Sequence, residues 1–317
     1  LLIGERVLIV TDNIVANLYV DKIKKSLEKE NIITSVCVLE NGEANKNIEG
    51  ISNIYSTLAK NELSRKDMII ALGGGVVGEI SGYAAATWMR GVDFIQIPTT
   101  LLACVDSSAG GKTGINIAEG KNLVGAFHSP KLVIIDSETL ESLPKREFNA
   151  GMSEIVKHAL LFDEKLLEII ENHYNKNEKL DIDYILKRNC ELKSHIVQID
   201  YKEKKERMFL NFGHTIGHSV ENASGYGVLL HGEAVAIGMI FAIEYGIKLG
   251  ITKNKNILER VKNILSNIGL PINIPENINL KEAIKLDKKR NNEKINFVFL
   301  EDIGKPIIEK VDINSIM

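Results

Sequence analysis

The sequence predicts an α/β fold, with a Rossmann-like, mostly parallel sheet in the N-terminal half and a mostly α-helical C-terminal half. Three observations carry this. Short apolar runs rich in strand formers alternate with helical periodicity along the first part of the chain, the pattern of a parallel sheet covered on both faces. One run, Met68-Ile-Ile-Ala-Leu72, passes into Gly73-Gly-Gly-Val-Val-Gly78 and then into an Ala-rich stretch. Strand, glycine turn and helix is the context a dinucleotide-binding turn needs, because glycines let backbone approach a pyrophosphate and the helix N-terminus offers unpaired N–H groups. After Pro144 every periodic segment up to about Gly269 is helical, which places the boundary near residue 145.

In order, Arg6-Val-Leu-Ile-Val10 reads as a buried strand ending at Thr11-Asp12-Asn13, and residues 18–29 read as a helix. A second strand, 33–39, ends at Asn41-Gly42-Glu43, and residues 48–61 form the next helix. After the glycine strand come strands at 94–98 and 132–136. Asp12, Glu43, the glycine turn and Thr99-Thr100 fall at strand carboxyl ends, where ligands of such sheets bind. The second half reads as helices at 150–161, 164–174, 184–200, 214–223, 232–249 and 258–268, with a strand at 295–300. No repeat or low-complexity linker separates the halves, so close packing is expected, with the cleft between them as the default site.

Composition narrows the function classes. The chain has 317 residues, 44% hydrophobic, enough for two cores, and a net charge of −3 that gives no electrostatic case for nucleic acid or an anionic membrane surface. No apolar run reaches the ~18 residues of a spanning helix. The opening, Leu1-Leu-Ile-Gly-Glu-Arg6, has neither the charged stretch nor the cleavage site of a leader peptide, and it lacks an initiating Met, so further chain ahead of it is expected. Cys37, Cys104 and Cys190 are far apart and odd in number, as expected of reduced thiols.

Two constellations point to chemistry. Val105-Asp-Ser-Ser-Ala-Gly-Gly-Lys-Thr-Gly114 and Gly120-Lys-Asn-Leu-Val-Gly125 read as glycine-rich polar loops; the spacing is not that of a Walker A loop, yet Lys112 and Lys121 in such loops suit phosphate or carboxylate. Asn211-Phe-Gly-His-Thr-Ile-Gly-His218, with His231-Gly-Glu233, gathers three of seven histidines in 18 residues. His214 and His218 share a helix face. Catalytic zinc commonly takes three protein ligands, and Glu154, on an otherwise apolar helix, is a candidate alongside these histidines. Spacing alone leaves open which histidines bind. Arg90, Lys157, Lys193, Arg207 and Lys288 are basic residues in non-basic surroundings, suited to a doubly charged anion.

Together these residues resemble the 3-dehydroquinate synthase family of sugar phosphate cyclases. The similarity runs through Leu72-Gly-Gly-Gly-Val-Val-Gly78, Phe94-Ile-Gln-Ile-Pro-Thr-Thr-Leu-Leu102, Val105-Asp-Ser-Ser108, Gly110-Gly-Lys-Thr-Gly114, Gly120-Lys-Asn122, Leu143-Pro-Lys-Arg-Glu147, Asn211-Phe-Gly-His-Thr215, Leu230-His-Gly-Glu-Ala-Val235 and Leu286-Asp-Lys-Lys289. The resemblance implies an NAD- and metal-dependent carbon–oxygen lyase of the shikimate pathway, which leads to aromatic amino acids. Its substrate is 3-deoxy-D-arabino-heptulosonate 7-phosphate and its products are 3-dehydroquinate and phosphate. The route is transient oxidation at C5, β-elimination of phosphate, re-reduction and aldol closure.

Carried over by motif, the resemblance makes 1–145 an NAD-binding domain and 146–317 a metal- and substrate-binding domain. It gives Glu154, His214 and His231 to one divalent ion, Zn²⁺ or Co²⁺. NAD⁺ is expected at Asp12, Glu43, Lys46, Gly74, Gly75, Val76, Glu79, Thr99, Thr100, Lys112, Lys121, Thr139, Ser142, Leu143 and Glu147. The substrate cleft is expected to be lined by the catalytic residues Arg90, Lys112, Lys157, Lys193, Arg207, Asn211, His218 and Lys288, with Asp106, Lys112, Lys121 and Asn122 binding the substrate. The implied partner is a small sugar phosphate, without nucleic acid or membrane, and a cytoplasmic homodimer is expected. The sequence departs from the family pattern at Glu79, usually Asp, at Asn41 and Asn45, and at His128-Ser129. Asn211 and His218 match the dehydroquinate pattern at sites that tend to differ in sister cyclases making a valiolone or deoxy-inosose. A metal-dependent polyol dehydrogenase and a non-catalytic NAD-binding protein compete with these cyclases as readings of the same residues.

Overall fold

The computed structural model describes residues 4–225, 227–287 and 294–316; Lys288 lies outside them. The chain divides into two compact units, Leu1–Leu143 and Pro144–Met317.

In the first unit β1 (Arg6–Asp12) leads into α1 (Asn13–Val15), a π turn at Ala16–Val20 and α2 (Asp21–Glu28). Then follow β2 (Ile33–Leu39), α3 (Ile48–Lys60), β3 (Met68–Gly73), α4 (Gly75–Thr87) and β4 (Asp93–Pro98). The helix expected at 18–29 thus starts earlier, because Asp12 caps it: its Oδ1 accepts from the amides of Ile14 and Val15, both at 2.9 Å. A hairpin of β5 (Lys112–Ile117) and β6 (Gly120–Phe127) precedes β7 (Leu132–Val133), which is shorter than the expected strand at 132–136.

The main sheet has the order β2-β1-β3-β4-β7 and every pairing is parallel. Central strands buried on both faces must be apolar throughout, and β3 is buried along its whole length. Alternate residues serve opposite cores. Leu8, Val10, Ile69 and Ala71 pack with Ile54 and Leu58 of α3 and Ile80 and Ala84 of α4. Val7, Ile9, Met68 and Ile70 pack with Val15, Val20 and Ile23 of the first helical run. The chain order reverses across β1, so the carboxyl ends of β1 and β3 flank the switch point where ligands of such sheets bind.

The segment expected as glycine-rich loops is partly a hairpin. Ala103–Ser107 forms a π turn, and β5 and β6 then pair antiparallel. A Cβ on Gly125 would lie 2.2 Å from the Thr113 carbonyl oxygen, and one on Gly114 would lie 2.7 Å from that of Val124. The glycines are there for close strand approach, so Lys112 and Lys121 sit on a built scaffold.

The second unit contains α5 (Lys145–Phe162), α6 (Glu164–Lys176), α7 (Ile182–Ile199), α8 (His214–Ser224), α9 (His231–Lys248), α10 (Asn256–Ile268) and α11 (Leu280–Asp287). Asp163 and Asp181 cap α6 and α7 through their carboxylates, and Gly269, at φ +90°, closes α10. Two features lie beyond the sequence reading: α11, and the partner strand of a C-terminal hairpin, β8 (Lys294–Asp302) with β9 (Lys305–Asp312). Helix α9 is apolar on nearly every face and correspondingly buried. Glycines let its neighbours come close. A Cβ on Gly238 would lie 1.9 Å from the Gly213 oxygen ahead of α8, and one on Gly232 would lie 1.9 Å from the Ala150 oxygen of α5. No described helix is long and apolar enough to cross a membrane.

Candidate metal centre and cofactor turn

The second unit brings three lone-pair donors to one point. Glu154 lies midway along α5 and is completely buried, and Gly232 draws the first turn of α9 against that helix. His231 opens α9 and His214 opens α8. Glu154 Oε1 is 3.6 Å from His214 Nε2 and 3.8 Å from His231 Nε2. His214 Nδ1 is 3.2 Å from the Phe212 carbonyl oxygen, which can only accept, so Nδ1 carries the proton and Nε2 presents a lone pair. His231 Nδ1 faces Glu221 Oε2 at 3.2 Å, which fixes the same tautomer. Burial pushes the His214 imidazole well below its ordinary pKa, and Lys157, His231 and His218 push it further, so the ring is neutral.

Two imidazole nitrogens that present lone pairs to a fully buried carboxylate oxygen repel it unless a cation sits among them. Among the described residues, neither Glu154 oxygen accepts a directional hydrogen bond. The buried ammonium of Lys157 pairs with Oε2 as a charge alone, leaving Oε1 to the histidines. Tetrahedral zinc, with ligand bonds of about 2.0–2.1 Å, holds its ligands roughly 3.3 Å apart. The observed separations are a few tenths of an ångström wider, and the donor set fits a divalent metal. His218 also belongs to the cluster, its ring 5.3 Å from that of His214 and 5.5 Å from that of His231, but it is the exposed member.

Other expected substrate residues of this unit lie on α7 and on the 3₁₀ turn Glu206–Asn211. Lys193 on α7 and Arg207 are buried, at 4% and 3% exposure. Arg207 donates to the Tyr201 carbonyl at 2.6 Å. Asn211 Nδ2 donates to Glu203 at 2.6 Å. Glu147 sits in the first turn of α5, its carboxyl raised by burial and by Glu233 against the opposing pull of Arg146.

In the first unit the cofactor candidates gather at the carboxyl end of the sheet. Gly74 is the N-cap of α4 and carries no side-chain cap, so the first amides of that helix face outward unclaimed by a side chain. A Cβ on Gly74 would meet Thr100 at 3.1 Å, and one on Gly75 would meet Ser107 at 3.1 Å. Val76 continues this first turn. Thr99 is buried, and its hydroxyl has no hydrogen-bond partner among the described residues. Lys46, 2% exposed, pairs with Glu79 and, at 3.4 Å, with Glu43. The long carboxylate at Glu79 therefore reaches back to a buried ammonium. Thr139 and Ser142 lie on a 3₁₀ turn next to Leu143, and Tyr19 bonds the Ser142 hydroxyl at 2.6 Å. Asp12 is engaged in capping α1.

Arg90 is exposed and, with Met89, lies in the left-handed region, at φ 71° and 48°. Backbone strain of this kind gathers at functional sites. Asp106 lies in the π turn, Lys112 opens β5, and Asn122 follows Lys121 on β6 at φ 55°. Asn122 is held in that conformation by Asn116, whose Oδ1 accepts its amide at 2.9 Å; Asn116 Nδ2 also donates to Glu43 at 2.7 Å.

Sequence reasoning missed Glu221 and Asn116. A signal for Glu221 was available: it lies seven residues after His214, on the same helix face. Asn116 had none, because its contacts depend on the β5–β6 hairpin and on Glu43 from another loop.

Known proteins resemble this chain over most of its length. A model of the 3-dehydroquinate synthase N-terminal region matches residues 36–150, and one of the C-terminal region matches residues 151–290. A 3-dehydroquinate synthase from Prochlorococcus marinus (strain MIT 9312) is 45% identical over 309 residues, 95% of this chain and 85% of the relative. One from Thermoanaerobacter pseudethanolicus is 44% identical over 321 residues, 99% of this chain and 89% of the relative. Among solved structures, a 2-epi-5-epi-valiolone synthase from Streptomyces hygroscopicus subsp. jinggangensis 5008, with NAD⁺ and Zn²⁺ bound, superposes with a TM-score of 0.89 at 28% identity, covering 98% of this chain and 88% of that one.

Proposed function

The chain belongs to the 3-dehydroquinate synthase family, and from that premise we propose that it is a lyase converting 3-deoxy-D-arabino-heptulosonate 7-phosphate to 3-dehydroquinate and phosphate, with NAD⁺ and a divalent metal. The observation that carries the reading is the convergence of the His214 and His231 Nε2 atoms on the buried Glu154 carboxylate. Glu154, His214 and His231 would hold the ion, which when bound supplies Lewis-acid polarisation of substrate hydroxyls. NAD⁺, as a reversible hydride acceptor, would rest its pyrophosphate on the open N-terminus of α4 at Gly74, Gly75 and Val76.

The chain's own side chains then do three jobs. Arg90, Lys112, Lys121, Lys193 and Arg207 bind the carboxylate and phosphate of one flexible sugar, which saves orientational entropy over several steps. Lys157 balances the charge of the buried Glu154 carboxylate. His218, exposed beside the two ligand histidines, is placed to hold or move a proton. In this reading the first unit, to about residue 145, is the NAD-binding domain and the rest binds metal and substrate, and the protein works as a cytoplasmic homodimer.

The test is to mix the protein with the heptulosonate phosphate, NAD⁺ and Zn²⁺ and follow phosphate release and dehydroquinate formation by NMR. Stoichiometric phosphate without net NADH is expected. Net NADH at 340 nm on simple polyols, with no phosphate released, would reassign the chain to dehydrogenase chemistry. Light scattering tests the dimer.

A further inference from the structure

Arg146, in the first turn of α5, lies eight residues before Glu154. Its guanidinium grips Glu233 as a fork: Nε donates to Oε1 at 2.7 Å and Nη2 to Oε2 at 2.7 Å. Nη2 also donates to the Val228 carbonyl at 2.8 Å, in the segment leading into α9. Glu233 Oε2 in turn accepts the Leu230 amide at 2.8 Å, which closes a cap over the first turn of α9. The first residue of that turn is His231. Helix α5 thus holds the end of α9 twice: through the Gly232–Ala150 backbone contact, and through this fork one turn earlier.

We propose that Arg146 is a positioning residue of the metal centre, setting the reach between Glu154 on α5 and His231 on α9 without touching ion or substrate. The inference rests on the reading of Glu154, His214 and His231 as metal ligands. The exposures of the pair show what Arg146 supplies. Its side chain is 55% exposed while that of Glu233 is 11% exposed. A half-exposed ion pair adds little to stability, but two parallel charge-assisted bonds fix direction. Lysine keeps the charge and cannot make the fork. A metal centre needs its ligands within about 0.5 Å of the productive geometry, and loss of an outer support typically costs 10- to 100-fold in metal affinity.

The experiment compares wild type, Arg146→Lys and Arg146→Ala. It measures Co²⁺ affinity by chelator competition, the visible absorption spectrum of the Co²⁺-loaded protein, NAD⁺ affinity, and melting of the metal-free protein. Both variants should bind Co²⁺ about 10- to 100-fold more weakly with an altered ligand-field band, while NAD⁺ affinity stays at the wild-type value and metal-free melting moves by a few degrees at most. At saturating Co²⁺, kcat should fall more than KM rises. Wild-type Co²⁺ affinity and spectrum in both variants would overturn the proposal. So would unfolding of both, which would make Arg146 a stability residue. Failure of wild type itself to bind Co²⁺ would instead remove the metal centre on which the proposal rests.

Discussion

At the cofactor turn of the first unit, the groups on offer are backbone amides at the start of α4, bared because Gly74 and Gly75 carry no side chains. At the metal centre of the second unit, they are side chains from α5, α8 and α9, brought together because Gly232 and Gly238 let helices touch. Glycine acts in both places, but on different objects. In the turn it clears room for a ligand, and the site is written in one contiguous motif. In the helical unit it clears room for another helix, and the site is written in contacts between segments far apart in sequence.

Substitutions can break that contrast. The largest effect is expected from His231→Ala, which removes one of the three proposed metal ligands. Polarisation by a metal is worth several kcal/mol, so turnover should fall by roughly a thousandfold or more, with metal content falling alongside and NAD⁺ affinity unmoved. Full metal occupancy with full turnover would dissolve the centre as drawn.

Gly75→Val attacks the other pole. A branched side chain at the helix start should cost a charge-assisted contact to pyrophosphate, about 1.5–3 kcal/mol or roughly 10- to 100-fold in NAD⁺ affinity by calorimetry. Metal binding should be unaffected. The new Cβ would lie 3.1 Å from Ser107 Oγ, so a small local shift is expected. If metal affinity fell as NAD⁺ affinity did, the two sites would not be separately built.

Glu221→Ala tests the support behind His231. Loss of the carboxylate that fixes its tautomer should weaken metal binding about tenfold or more, with little change in melting. Unchanged affinity would mean that the Glu221 contact is incidental.

The smallest effect is expected at the base of the first unit. Burial raises the Asp67 carboxyl, but hydrogen bonds from Ser64 and the Arg6 amide outweigh it, and its pKa is lowered. The folded state therefore holds the ionised form more tightly than the unfolded chain does. That stability is present above the ordinary carboxylate pKa and is lost as pH falls through the depressed value. Asp67→Asn should cost about 1 kcal/mol near neutral pH and flatten the acid limb of the melting curve, leaving NAD⁺ and metal binding intact. An acid limb as steep as wild type's would move this role elsewhere.

The same contrast explains what the sequence disclosed. The parallel sheet was legible because β1 and β3 are apolar on both faces in runs too short for a helix. The β5–β6 hairpin was not. Its Gly114 and Gly125 serve close backbone crossing, and glycine reads as loop when the partner strand is unknown. Helix α11 follows Pro271 and Pro275, which end the visible periodicity. The histidines stood out because they are local. That Glu154 meets them depends on α5 and α9 touching at Gly232, nearly eighty residues along, and no spacing rule reports that. The resemblance to a family is what joined Glu154 to the histidines.

The Lys46 ammonium, sealed between Glu43 and Glu79, has one more consequence. Dissolved salt shortens the reach of exposed charges, from about 30 Å at 0.01 M to about 3 Å at 1 M. Pairs such as Lys22 with Glu138, both largely exposed, fade under that treatment. A pair whose cation is 3% exposed is shielded from mobile ions, so the wall it forms beside the cofactor turn keeps its shape from dilute buffer to brine. Any ionic-strength dependence of the enzyme should then reflect how its charged sugar phosphate arrives, not how its pocket is held.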